Sequence, residues 1–229
     1  LLLLDLDGFK EINDTLGHDV GDSLLQAVAA RILPIRKNHE LICRLGGDEF
    51  ALVADNLDED QALDLARCLV ERIASPYHIG DMEIKIGTCV GIAISHRQSH
   101  ADELLKHADL ALYEAKRAGA GSLSVYRPYM QSQLAEKRSF EADLQAALQN
   151  NEMDVFYQPQ VSTETRAVCG FEALLRWTHP VRGRVPPAEF IPVAERTGFI
   201  NALGKWVMET ACKEAALWKP RIKIAINLS

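Results

Sequence analysis

Apolar residues recur at helical spacing in four stretches of the first half of the chain and in short runs between them. The helical pattern predicts helices over residues 9–16, 20–35, 58–74 and 101–118. The runs predict strands at 1–6, 41–45, 50–54 and 122–126, and one long strand at 83–95 behind a hairpin at Gly80-Asp81. Glycines between 41–45 and 50–54 indicate a second hairpin. We therefore expect an α/β domain, of the α+β kind, with a mixed, partly antiparallel sheet and flanking helices.

A second pattern begins near residue 129. Residues 129–150 contain neither Gly nor Pro and predict one helix whose apolar stripe is Leu134, Phe140, Leu144 and Leu148. Beyond it we predict strands at 153–160, 167–177 and 222–227 and helices at 187–195 and 200–218. The expected organisation is a domain at 1–126, a connecting helix at 127–150 and a second domain at 151–229.

The chain has 229 residues and a formal charge of −7, with 48% hydrophobic residues. An acidic balance argues against nucleic acid as a partner, but not against a small nucleotide whose phosphates a metal ion neutralises. Leu1–Leu4 has no basic residue before it and ends at Asp5, so it is not a signal peptide. Because the chain opens without Met inside a predicted strand, we interpret it as a fragment that is truncated at its N-terminus. Membrane attachment is expected only through a segment outside this chain, since no apolar run reaches about 20 residues.

The five cysteines are odd in number and form no CxxC pair: Cys43, Cys68, Cys89, Cys169 and Cys212. Scattered cysteines in apolar runs are typical of reduced thiols. We expect a cytoplasmic protein.

Three acidic residues, Asp5, Asp48 and Glu49, indicate a chemical site. Asp5 ends an apolar strand, where an unpaired charge is unfavourable. If that strand neighbours the glycine hairpin that carries Asp48 and Glu49, the carboxylates meet at one edge. Carboxylates without His or Cys suit Mg²⁺. The alternative for each residue alone is a solvated acidic loop.

Several separated motifs occur together in order: Leu4-Asp5-Leu6-Asp7-Gly8-Phe9-Lys10, Ile12-Asn13-Asp14, Gly17-His18, Gly21-Asp22 and Arg44-x-Gly-Gly-Asp-Glu-Phe. In this combination the chain resembles the GGDEF diguanylate cyclase family over most of residues 1–126. The resemblance implies that two such domains, each holding GTP, pair as a homodimer to make cyclic-di-GMP.

The resemblance also implies roles for individual residues. Asp5, Asp48 and the Leu6 carbonyl match ligands of Mg²⁺ (or Mn²⁺), and Asp48 or Glu49 matches the base for the 3′-hydroxyl. The remaining matches are Lys10 at the transition state, Asn13 and Asp22 as guanine readers, His18 in the substrate pocket and Lys116 at the phosphates. An amide and a carboxylate suit guanine's O6 and N1–H/N2–H₂ edge.

Two positions depart from the family's pattern. Ala120 stands where a phosphate-binding arginine is expected. Arg117 is the nearby arginine, but on a helix it lies about 300° around the axis from position 120. The usual Arg-x-x-Asp inhibitory motif reads Lys37-Asn38-His39-Glu40, which lacks arginine's bidentate fork, so product inhibition is not predicted.

The second half carries another set of motifs: Tyr157-Gln158-Pro159, Gly170-Phe171-Glu172-Ala173-Leu174-Leu175-Arg176-Trp177, Phe190-Ile191-Pro192 and Asn227-Leu228-Ser229. They resemble the opening portion of an EAL cyclic-di-GMP phosphodiesterase, a family with a (β/α)8-type barrel. Such a barrel takes about 250 residues, so the segment is expected to be truncated and inactive alone.

That resemblance implies that Glu172 and Asn227 ligate metal and that Gln158 and Arg176 lie near the dinucleotide. Both metal ligands are expected at the C-terminal ends of strands, where barrel sites form. The alternative for Glu172 is a buried salt bridge with Arg176. His179 is interpreted as a turn residue, and Trp177, Trp206 and Trp218 as core residues.

Two functional hypotheses remain. In one, the parent protein makes and hydrolyses cyclic-di-GMP. In the other, a weak GGDEF domain binds GTP and regulates the phosphodiesterase; Ala120 and the tandem arrangement favour this alternative. A docking protein without nucleotide would leave the carboxylates and the glycine hairpin unexplained.

Overall fold

A computed structural model of the chain describes residues 1–35, 41–95, 100–218 and 222–227. It divides into two compact units, Leu1–Gln133 and Leu134–Ser229. In the described ranges no helix combines the length and apolarity needed to cross a membrane.

The first unit alternates strands and helices. Its strands are β1 (Leu2–Asp7), β2 (Leu41–Gly46), β3 (Glu49–Val53), β4 (Tyr77–Ile79), β5 (Met82–Ile84), β6 (Gly87–Ile92) and β7 (Leu123–Val125). Its helices are α1 (Phe9–Leu16), α2 (His18–Ile32), α3 (Glu59–Ala74) and α4 (Ala101–Ala118), with a 3₁₀ turn at Leu33–Ile35 and the start of α5 (Pro128–Ala146).

Five of these strands form one sheet in the order β2-β3-β1-β6-β7. The central strand β1 is antiparallel to both neighbours, while β6 and β7 are parallel. Leu2, Leu4 and Leu6 join the core cluster that includes α2 and α3 residues, and Leu3 joins the cluster with α4. The mixed α/β fold predicted from the sequence is confirmed.

The prediction of one long strand at 83–95 is wrong. Residues 82–84 pair with β4 in a separate two-stranded hairpin, and only Gly87–Ile92 belongs to the main sheet. Gly80, with φ of 59°, provides the hairpin turn. Ile84 and Ile86, on either side of the break between β5 and β6, are both buried. The apolar pattern therefore continues across the break and does not mark where the chain passes from one sheet to the other.

The second unit contains most of α5 and the elements β8 (Met153–Val161), β9 (Val168–His179), β10 (Gly183–Val185), α6 (Pro187–Arg196), α7 (Ile200–Leu217) and β11 (Lys223–Ile226). β8 and β10 pair antiparallel with β9, whereas β11 pairs parallel to it after the α6–α7 crossover. The short strand β10 was not predicted.

The core of this unit surrounds Trp177 and Phe190, which are 1% and 0% exposed. Trp206 packs against it only partly buried. Trp218 contacts the rings of Tyr157 and Phe171 instead. Of the three tryptophans predicted to be core residues, Trp177 alone is fully buried.

Candidate functional site

The acidic residues of the first unit meet at the end of the central strand. Asp5 of β1 lies directly opposite Glu49 of β3. The Leu6 N–H donates to the Asp48 carbonyl at 3.3 Å, which fixes the tip of the β2–β3 hairpin against β1. Gly47 turns the hairpin with φ of 52° and accepts a hydrogen bond from Arg44 Nε at 2.9 Å. The hairpin thus brings three carboxylates to one edge.

Asp5 is a buried carboxylate, 8% exposed. Burial raises the pKa of Asp5, Lys116 opposes that shift, and the charges of Asp48 and Asp7 add to it. Its backbone carbonyl accepts from the buried Thr88 hydroxyl at 2.9 Å. A carboxylate held in this way favours a cationic partner.

Lys116, in the last turn of α4, provides that charge. Its Nζ lies 2.7 Å from Asp5 Oδ2. Partial burial alone would lower the pKa of Lys116, but the hydrogen bond to Asp5 and the charges of Asp5, Asp48 and Glu49 raise it. The ammonium therefore stays protonated among the carboxylates at neutral pH.

The donor set fits a divalent cation that prefers oxygen. In the described ranges no three His, Cys, Asp or Glu side chains come together as a complete metal cage. Asp5 and Asp48 supply two carboxylates, and the buried Leu6 can contribute only through its backbone carbonyl. An incomplete set suits a divalent cation that keeps positions for water and phosphate oxygens.

Three polar residues, Asn13, His18 and Asp22, lie near the junction of α1 and α2. Asn13 Oδ1 is buried and has no hydrogen-bond partner. A Cβ on Gly21 would lie 1.9 Å from that oxygen, so the glycine leaves the space that the amide occupies. Asp22 follows on α2, and His18 begins that helix; both are exposed. The chemistry of an amide and a carboxylate is suited to an N–H-rich ligand edge.

The N-terminus of α1 is a feature that the sequence reasoning missed. Gly8 has φ of 72°, and no side chain caps the helix. Free N–H groups at a helix start attract anions, and these follow β1 directly after the carboxylates. Lys10 is exposed in the first turn. The strand-Gly-helix order was the signal that could have revealed this site.

The segment after α4 lacks a second cation. Ala120 is exposed, and Arg117 pairs with Glu114 at 2.9 Å instead of facing Asp5. The Lys37–Glu40 motif lies outside the described residues.

The predicted residues of the second unit share one region of its sheet. Asn227 Nδ2 donates to Glu172 Oε1 at 2.8 Å, and Gln158 lies directly opposite Glu172 on β8. Arg176 donates to the Leu175 carbonyl. The alternative Glu172–Arg176 salt bridge is not formed.

Two expectations for this unit have clear outcomes. Glu172 does not end its strand: it lies in the middle of β9, because β9 continues to pair with β8 and β10 beyond it. Asn227 does follow the end of β11. His179 is the last residue of β9 and not a turn residue, but its Nδ1 accepts from the backbone N–H groups of Val181 and Arg182 in the turn that follows.

Similarity to known proteins extends over both units. The family model "Diguanylate cyclase, GGDEF domain" matches residues 1–122, and the EAL domain model matches 141–229. The chain is 39% identical over 234 residues to the bifunctional diguanylate cyclase/cyclic di-GMP phosphodiesterase MucR of Pseudomonas aeruginosa, covering 100% of this chain and 34% of MucR. It is 36% identical over 233 residues to the cyclic di-GMP phosphodiesterase PdeR of Escherichia coli, covering 100% of this chain and 35% of PdeR.

A solved EAL/GGDEF domain protein from M. capsulatus superposes with a TM-score of 0.52 at 37% identity, covering 56% of this chain and 83% of that one. The chain spans 28% to 35% of the length of the curated relatives MucR, PdeR and two others. With the GGDEF match covering more than half of its residues, the chain belongs to the GGDEF diguanylate cyclase domain family and carries an EAL domain segment behind it.

Proposed function

We propose that the first unit binds GTP and that two such units condense two GTP molecules into cyclic-di-GMP. The observation that carries this proposal is the Asp5–Glu49 pair, which lies beside both Lys116 and the uncapped start of α1. Carboxylates, a cation and free N–H groups together suit a metal-bound triphosphate. The α1–α2 junction lies at the other end of the same helix and suits guanine.

Guanine recognition is assigned to Asn13 and Asp22, with His18 beside them. The buried Asn13 oxygen would accept from a guanine N–H, and the Asp22 carboxylate would accept from another. On the corresponding edge adenine offers one donor, N6–H₂, and presents N1 as an acceptor, so one of the two acceptors would be left unpaired. The site is therefore expected to prefer GTP to ATP.

In the proposed reaction Asp48 or Glu49 takes the proton of a 3′-hydroxyl. The 3′-oxygen attacks the α-phosphorus of the GTP on the facing domain, and the bond to pyrophosphate breaks. Lys116 and Lys10 stabilise the negative charge on the phosphates. A Mg²⁺ or Mn²⁺ ion held by Asp5, Asp48 and the Leu6 carbonyl would add electrostatic stabilisation at the phosphates. Since each domain presents one GTP, a homodimer is required.

For the parent protein we further propose cyclic-di-GMP hydrolysis through the EAL domain. The Glu172–Asn227 hydrogen bond and the facing Gln158 support a shared site in which Glu172 and Asn227 would hold metal. Arg176 would lie near the dinucleotide phosphate. The nucleotides and the five free thiols favour a cytoplasmic setting.

The test uses the 229-residue chain with GTP and Mg²⁺. Isothermal titration calorimetry is expected to detect GTP binding that Asn13→Ala weakens, with ATP binding more weakly. Chromatography is expected to detect cyclic-di-GMP that Glu49→Gln and Asp48→Asn reduce. Asp81→Asn, a change at an exposed turn, serves as the control. Absence of GTP binding by the wild-type chain would contradict the proposal.

One observation favours a second candidate. Ala120 leaves Lys116 as the single cation offered to the phosphates by the end of α4, because Arg117 is held by Glu114. A domain of this kind can bind GTP without turnover and regulate the phosphodiesterase. GTP binding without cyclic product, together with GTP-stimulated hydrolysis of cyclic-di-GMP by the parent protein, would select this candidate.

A further inference from the structure

Asp7 is the second carboxylate on the α4 side of β1. Side chains alternate along a strand, so Asp5 and Asp7 point to the same face of the sheet. Their contacts differ. Asp5 meets the charge of Lys116, whereas Asp7 meets two uncharged donors. Gly121 N–H donates to Asp7 Oδ2 at 2.9 Å, and the Cys89 thiol donates to Asp7 Oδ1 at 3.1 Å.

The neighbouring strand leaves space for this arrangement. Gly87 is the register partner of Asp7, and a Cβ at Gly87 would lie 2.6 Å from Asp7 Oδ2. Cys89 is 1% exposed, and its sulfur also lies 3.4 Å from the Gly119 carbonyl. Asp7 therefore accepts a hydrogen bond from the loop that follows α4, and the Cys89 sulfur lies beside the same loop.

That loop needs an external constraint. Gly119 and Gly121 have φ of 120° and 73°, and glycine loses more conformational freedom on ordering than any other residue. Gly119 N–H donates to the Lys116 carbonyl, so the loop continues directly from the turn that carries the lysine. A hydrogen bond that an ionised carboxylate accepts is stronger than a hydrogen bond between two uncharged groups.

We propose that Asp7 is a positioning residue, whose bonds to Gly121 and Cys89 hold the loop after α4 so that Lys116 reaches the triphosphate beside Asp5. This proposal rests on the proposed GTP site. Both carboxylate oxygens of Asp7 accept a hydrogen bond from the protein. Its influence is on the phosphate end of the nucleotide and not on the guanine pocket at α1 and α2.

The test is a double-mutant cycle in the 229-residue chain with Mg²⁺. Isothermal titration calorimetry compares GTP and guanosine binding by the wild type, Asp7→Ala, Lys116→Ala and the double variant. Asp7→Ala is expected to weaken GTP binding about ten-fold, the effect of losing one hydrogen bond to a charged group, and to leave guanosine binding unchanged. The double variant is expected to bind GTP like Lys116→Ala, because Asp7 acts through the lysine. Asp81→Ala is the control.

Additive effects of the two substitutions, or equal losses for GTP and guanosine, would overturn the proposal, since Asp7 would then support only the fold. Unchanged GTP binding by Asp7→Ala would overturn it while leaving the proposed function intact. Failure of the wild-type chain to bind GTP would instead overturn the proposed function, and this proposal with it.

A second pair of variants covers the case in which Asp7→Ala does not fold. Cys89→Ser keeps a donor for Asp7, and Cys89→Ala removes it. We expect Cys89→Ala to bind GTP about three-fold more weakly and Cys89→Ser to bind it like the wild type. Amide hydrogen exchange at Gly121 is expected to be faster in Cys89→Ala. Equal GTP affinity and equal exchange in the two Cys89 variants would overturn the proposal.

Discussion

Replacing Gly21 by alanine is expected to remove guanine recognition without unfolding the domain. Gly21 lies in α2, and its missing side chain makes room for the Asn13 amide. A methyl group there would lie 1.9 Å from Asn13 Oδ1 and 3.3 Å from Phe9 Cζ. The amide must therefore rotate away, because the distance to Oδ1 is far below van der Waals contact.

The two energetic consequences have opposite signs. Alanine is favoured over glycine inside a helix by about 1 kcal/mol, which offsets the rearrangement of the flexible Asn13 side chain. We expect the free energy of unfolding to stay within about 1 kcal/mol of the wild type. Losing one or two hydrogen bonds to guanine weakens binding by about 1–3 kcal/mol, or roughly 5-fold to 150-fold in the dissociation constant.

The assay pairs calorimetric titration of GTP and ATP with urea unfolding. Gly204→Ala is the matched control: Gly204 also lies inside a helix, and its added Cβ would have no heavy atom within 4 Å. We expect the control to gain stability and keep the GTP affinity of the wild type. The Gly21 variant is expected to lose most of its preference for GTP over ATP.

Wild-type GTP affinity and preference in Gly21→Ala would refute the assignment of Asn13 as a guanine reader. Loss of the fold in Gly21→Ala would refute the energetic reasoning, since the clash would then involve more than a movable amide. Asn13→Ala separates the two questions, because it removes the amide without adding a group to α2.

Three further substitutions test other parts of the first unit. Asp5→Asn is expected to abolish metal-dependent GTP binding and to raise the unfolding temperature at pH 7. Because burial raises the pKa of Asp5 in the folded state, the wild type loses stability as the pH rises through that pKa. Thermal unfolding should therefore show the difference between the two proteins vanishing at about pH 3. Gly91→Ala should destabilise the domain by about 3 kcal/mol in urea unfolding. Its Cβ would lie 2.3 Å from the Ala108 carbonyl oxygen and from the Leu112 backbone nitrogen, and these backbone atoms cannot rotate away. A loss of stability below about 1 kcal/mol would contradict this prediction. Ala120→Arg is expected to increase cyclic-di-GMP formation measured by chromatography, because it restores a cation in an exposed loop; an unchanged yield would show that the missing arginine is not limiting.

Helices with a clear apolar stripe were predictable from the sequence alone. The prediction of 101–118 agrees with α4 at both ends, because the stripe of small and apolar residues runs its full length. The break between β5 and β6 was not predictable, since the apolar pattern on either side of Lys85 continues unchanged. A strand of three residues such as β10 is too short for any periodicity to appear.

In the candidate site the contact of the glycine hairpin with β1 was predictable, and the contact of β1 with the loop after α4 was not. The glycine hairpin at Gly46–Phe50 indicated that Asp48 and Glu49 would face a neighbouring strand, and β1 is that strand. The bond between Gly121 and Asp7 joins residues 114 positions apart. Nothing in either segment's sequence marks the other as its partner, because this contact depends on how α4 packs across the sheet.

The alternation of β1 explains how one short strand serves both stability and the candidate site. Leu2, Leu4 and Leu6 point into the core with α2 and α3, which anchors the strand through apolar burial. Asp5 and Asp7 point to the α4 side, where burial of a charge is unfavourable without a partner. The two carboxylates have different partners. Asp5 pairs with Lys116, and Asp7 accepts hydrogen bonds from the Gly121 amide and the Cys89 thiol. A one-residue shift in register would bury both carboxylates among leucines, so the apolar face that stabilises the sheet also determines where the site can form.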